Sequence, residues 1–101
     1  MGIFIKTEKF KPHKVPLESK SYYIKIHKSW VMNLISEGIK ISSGYLVNSK
    51  KQPGGGGLLI IEAVNYLTAL KIVKQDPMIL NNLVDWELNE WIAVAGNIRN
   101  E

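Results

Sequence analysis

The chain contains no cysteine. That excludes a disulfide-stapled secreted scaffold, a zinc ribbon and a thiol nucleophile, and makes a reducing cytoplasm the expected compartment. Long apolar runs are missing as well. The longest covers residues 91–95, against the roughly twenty residues a bilayer span needs, so no passage through a membrane is expected. The first residues lack the basic, apolar and small-residue succession of a secretory signal, and Lys6 stands where a myristoylated terminus would want Ser or Thr. Histidine is scarce. His13 and His27 fall into neither an HxH nor an HExxH spacing, so neither a metal nor a cofactor is expected. No acid pair or serine-triad signature is visible.

With 101 residues the chain fits a single domain over its whole length, because two separate cores would each be too small to offset chain entropy. The formal net charge is +4, spread over lysines along the chain. The densest basic stretch runs from Lys6 to Lys14 and includes His13. Phe10 is the single aromatic residue among them, which makes no stacking platform, so nucleic-acid binding is not expected.

Periodicity divides the chain into six elements. Residues 3–5 are an apolar run with strand character, and the polar, proline-punctuated stretch through Pro16 is expected to be a loop. From 17 to 38 the period becomes helical: Tyr23, Ile26, His27, Trp30 and Leu34 share one face, and Gly38 ends the helix. Residues 39–47 alternate as a strand, 48–57 break regular structure, and 58–64 resume as a strand, which predicts a hairpin. The run Pro53 to Gly57 precedes a strand and not a helix, so it is expected to be a hairpin loop and not a phosphate cradle. Asn65 caps a second helix that Asp76-Pro77 stops. After a turn over 78–85, residues 86–95 are expected to form the last strand. The order βαββαβ predicts an α+β, ferredoxin-like fold, with a four-stranded antiparallel sheet and two helices on one face. Apolar residues on both sides of the last two strands then call for a second cover, and a homodimer packed through its sheet faces is the expected one.

His27 lies on the apolar stripe of the first helix, so its ring points toward the sheet. It is read either as a core imidazole satisfied by a backbone carbonyl or as an acid–base group. Asp76 is a turn aspartate before proline, or, at the negative end of the second helix, a carboxylate in want of a compensating partner. If the helices lie side by side, the two residues meet at one edge, and the pair offers a general base or acid near neutral pH. Trp30, Trp86 and Trp91 are expected in the core or the dimer interface, with one of them lining a pocket.

The landmarks His27-Lys28-Ser29-Trp30-Val31-Met32-Asn33-Leu34 with Gly38, then Ser43-Gly44-Tyr45-Leu46, the glycine-containing hairpin, Ile60-Ile61-Glu62-Ala63, Asp76-Pro77 with Leu83, and Trp91 follow one another in this order. In that succession the chain resembles the YCII-related family of small dimeric α/β-barrel proteins. The resemblance implies a ferredoxin-like protomer, dimerisation through the sheets, and a dyad of His27 and Asp76. It also implies a small-molecule lyase, isomerase or dehydrochlorinase-type activity, with Ser43, Gly44, Tyr45 and Trp91 placing the substrate. Where the family carries Gly-Pro, this chain has Gly44-Tyr45, which alters the pocket or supplies a phenol. The competing reading is a non-catalytic dimer that binds a metabolite or a protein and holds the same two residues as a buried structural pair.

Overall fold

The structure is a computed structural model that describes residues 1–12 and 17–98. Its elements are β1 (Gly2–Phe10), α1 (Leu17–Ser36), β2 (Ile41–Val47), β3 (Pro53–Ala63), α2 (Tyr66–Val73), α3 (Pro77–Leu80) and β4 (Val84–Trp91). The four strands make one antiparallel sheet in the order β2-β3-β1-β4. This is the expected ferredoxin-like α+β plan, with the first strand inside the sheet. No helix among the described residues is long and apolar enough to cross a membrane.

Strand alternation sorts the sheet into two faces. Phe4 and Lys6 of β1, Leu59, Ile61 and Ala63 of β3, Ile41 of β2 and Leu88 of β4 stand on the covered face. There Val31 of α1 and Ala69 and Val73 of α2 close the core, with Trp30, Leu34 and Leu70 packed against it. A satellite cluster of Met78, Leu83 and Val84 joins α3 to the end of the sheet, with Phe10 and Tyr23 beside it. The other face carries Ile3, Ile5, Leu58, Ile60 and Trp91, ringed by Thr7, Lys9, Asp85, Glu87 and Asn89. A shallow depression of about 440 Å³ along β1 and β4 is lined by Thr7, Glu8, Lys9, Asp85, Trp86 and Glu87, and His27 is not among them.

Local chemistry sets the element ends. Gly38 takes a positive φ of 91°, its N–H donating to the Ile35 carbonyl and that of Ile39 to the Leu34 carbonyl, both at 3.0 Å. This is a glycine-closed helix end. The Asn65 side chain accepts from the Thr68 N–H at 2.8 Å, capping α2 as expected.

Four boundaries differ from the sequence expectation. β1 runs on to Phe10 because Lys6, Thr7, Glu8 and Lys9 continue the alternation under a polar disguise. The residues 13–16 of the basic leader, His13 among them, lie outside the described residues. The glycine run is not a loop but the first half of β3, opening with Pro53 at a strand's first position, where its missing N–H is tolerated. Between 74 and 83 the chain forms the short helix α3. β4 starts at Val84 and stops at Trp91, so Ile92 and Val94 are exposed beyond it. Asp85, Glu87 and Asn89 make its open side polar. The apolar strip of the open face therefore rests on β1, β3 and Trp91.

Candidate functional site

Three elements bring the titratable side chains together. α1 presents His27 from its apolar stripe, β1 presents Lys6 from the covered face of the sheet, and the bend between α2 and α3 supplies Asp76. α1 packs against α3, so it is the unforeseen short helix that carries Asp76 to the histidine. Asp76 is its N-cap: Oδ1 accepts from the Met78 N–H at 2.9 Å, and Pro77 occupies the first turn. A carboxylate expected to sit against the negative end of α2 is thus held by the Met78 N–H in the first turn of the next helix.

Asp76 is fully buried and Lys6 is 1% exposed. The Lys6 ammonium donates to Asp76 Oδ2 at 2.6 Å and also to Glu8 Oε1. The His27 Nδ1–H donates to Asp76 Oδ1 at 2.9 Å, and Ser43 Oγ lies 2.7 Å from Nε2. Burial by itself raises the Asp76 carboxyl. The hydrogen bond from His27, then the charge and hydrogen bond of Lys6, outweigh it and hold the group below the usual carboxylate range. An ionised carboxylate only accepts, so the neutral ring keeps its proton on Nδ1 and leaves the Nε2 lone pair toward Ser43. His27 is 15% exposed, and Trp30 leans on its ring with centroids 5.7 Å apart. Burial by packing on one side and a charged partner on the other fix the imidazole in one orientation.

Ser43, His27 and Asp76 form a continuous hydrogen-bonded chain with the connectivity of a serine triad, which no spacing in the sequence announces. Tyr45 shares the covered face with Ser43, two residues along β2, and is 71% exposed. Gly44 and Trp91 stand on the opposite face of the sheet, away from the His27 ring. Lys6 and Glu8 were not foreseen as site residues. The signal for them was the two-residue alternation Phe4, Lys6, Glu8, Phe10, which puts charged side chains on the core face of a strand. Among the described residues every buried side-chain nitrogen and oxygen has a partner, and no cluster suited to a metal ion occurs.

No protein-family model matches the chain, and no curated protein matches it. Among solved structures the chain is similar to the 5-chloro-2-hydroxyhydroquinone dehydrochlorinase TftG from Burkholderia phenoliruptrix AC1100, in complex with 2,5-dihydroxybenzoquinone. The two superpose with a TM-score of 0.68 at 20% identity, over 89% of this chain and 93% of that one. At that identity the likeness speaks for the fold alone.

Proposed function

We propose that this chain is a YCII-like, cofactor-independent acid–base enzyme of the lyase or isomerase kind. In this reading His27 is the catalytic base, Asp76 orients it, and Ser43 positions the substrate. The observation that carries the reading is the polarised imidazole: Nδ1 is tied to a buried carboxylate and Nε2 is turned to an exposed hydroxyl on β2. Nε2 takes the proton of a substrate hydroxyl conjugated, through a carbon–carbon double bond, to the carbon bearing a leaving group. The O–H bond breaks, a C=O bond forms, the double bond moves one position, and the leaving group departs with its electron pair. The products are the unsaturated carbonyl compound, the proton on His27 and the anion. A dehydrochlorination is the case in which that anion is chloride, the reaction named for the structural neighbour. Without a leaving group, return of the proton at the far carbon gives an isomerisation.

The protein acts as a homodimer in this reading, in a reducing compartment. Ile3, Ile5, Leu58, Ile60 and Trp91 form an apolar strip across the open face, and a second sheet covers it. Gly44 and Trp91 then belong to the dimer face, and Tyr45 borders the entrance on the covered side.

A ¹⁵N titration of the His27 ring is the test. An Nδ1–H tautomer in the neutral ring that Asp76→Asn loosens supports the dyad, because the carboxylate is the acceptor that fixes that proton. A ring that does not titrate marks a buried structural pair and refutes the enzyme. Ser43→Ala separates two roles for the hydroxyl: a positioning group costs about tenfold in turnover, whereas a nucleophile loses all of it.

A further inference from the structure

The covered face of the sheet carries one side chain per strand at each level. At the level of the dyad these are Ser43, Leu59, Lys6 and Leu88. The next level toward the hairpin holds Tyr45, Gly57, Glu8 and Trp86. Gly57 is the gap in that row, and it is buried all the same. Glu8 fills it. One carboxylate oxygen is held by the Lys6 ammonium, and the other, Oε2, lies across β3. A Cβ on Gly57 would come within 3.3 Å of Glu8 Oε2 and of the Gly44 carbonyl oxygen, so a side chain there pushes the carboxylate aside. The glycine run therefore has a place in the site.

Hydrogen-bond roles around this row are lopsided. Asp76 takes the Nδ1 proton, so Nε2 offers a lone pair, and Glu8 Oε2 accepts no hydrogen bond among the described residues. Nε2 accepts from the Ser43 hydroxyl, whose place a substrate hydroxyl takes, and Glu8 Oε2 is left with an acceptor to fill. The formal charge agrees. One lysine stands between two carboxylates, which leaves one negative charge in excess while the ring is neutral, and a proton arriving at His27 cancels it. An anionic ligand meets repulsion, and a neutral molecule with a proton to give does not. Tyr45 and Trp86 stand at the two ends of this row, two aromatic side chains to flank a flat ring.

We infer that Glu8, laid across Gly57, is the specificity-determining residue of the His27 site. The ligand is a flat neutral molecule with two hydrogen-bond donors, an acidic hydroxyl delivered to His27 Nε2 and a second donor held by Glu8. This inference rests on His27 being the base.

The test titrates hydroquinone, 4-methoxyphenol and 1,4-dimethoxybenzene, without oxygen, into the ¹⁵N-labelled chain and into Glu8→Leu and Gly57→Ala, following affinity and the His27 ring signals. Gly57→Ala displaces the carboxylate without removing its charge, so it stands in if Glu8→Leu fails to fold. Hydroquinone is expected to bind, to shift the His27 signals and to bind roughly tenfold tighter than the single-donor ether, the usual worth of a hydrogen bond to a charged group. Dimethoxybenzene is expected to bind weakest. Either variant should erase the preference for hydroquinone while keeping the His27 shift. Equal affinity for hydroquinone and 4-methoxyphenol, or a preference that survives in the folded variants, overturns the role of Glu8 and leaves His27 as the base. Absence of any His27 shift with hydroquinone overturns the two-donor site, and the Asp76→Asn titration still decides the dyad separately.

Discussion

Replacing Lys6 by Met isolates the electrostatic cost of the site. The ammonium is 1% exposed and serves a fully buried carboxylate at 2.6 Å together with Glu8. Methionine reproduces the stem as far as Cε but brings no charge, so Asp76 keeps only the Met78 N–H and the His27 N–H. Breaking a buried pair by removing one partner costs about 3–5 kcal/mol. In a domain of this size each kcal/mol moves Tm by roughly 4–8 °C, so a fall of roughly 12–40 °C is expected at neutral pH. The pH dependence has a definite sign. In the parent, Asp76 has a folded pKa below its unfolded value; its contribution is fully present above the unfolded value, near pH 4, and is lost as pH falls through the folded one. In Lys6→Met the charge and hydrogen bond of the ammonium are gone, so the carboxyl lies higher than in the parent and acid weakens the variant less than it weakens the parent. Thermal unfolding at about pH 7 and about pH 3 should therefore show the gap narrowing in acid. The double variant Lys6→Met, Asp76→Asn should recover part of the loss, because no buried charge is then left alone. A gap below about 1 kcal/mol, or one that does not change with pH, refutes the argument that this lysine neutralises a buried charge.

The remaining expectations concern the open face and the turns. Ile60→Glu places a charge in the middle of the apolar strip opposite Ile5 and should convert the proposed dimer to a monomer in sedimentation velocity while sparing the far-ultraviolet circular dichroism; a parent that sediments as a monomer refutes the dimer. Gly38→Ala forces a side chain to a φ of 91° and should cost about 1–2 kcal/mol in urea unfolding, with no effect on the His27 titration.

His27→Ala is milder than the sequence alone would have it. A carboxylate with histidine as its sole partner would be stranded by the substitution. In the structure Lys6 and the Met78 N–H still hold Asp76, so the expected loss is that of one hydrogen bond to a charged group, about 1.5–3 kcal/mol.

The amino-acid sequence by itself determined the period of nearly every element. Tyr23, His27, Trp30 and Leu34 repeat at helical spacing, Asn65 and Gly38 mark helix ends, and the succession βαββαβ leaves one simple antiparallel sheet with its helices on one side. These are local properties, encoded in residues a few positions apart, and they sufficed to place His27 on a buried face and Asp76 at a helix boundary. Lys6, Glu8 and the extended glycine run were illegible for the opposite reason. A polar residue in a strand reads as surface until a distant partner neutralises it, and Lys6 meets Asp76 across seventy positions of chain. A row of glycines reads as a loop until neighbouring strands supply its hydrogen bonds and a neighbouring side chain occupies the space it leaves. Only the tertiary structure decided which charges are buried and what compensates them, because desolvation and pairing depend on what lies across the sheet and not on what lies next in the chain.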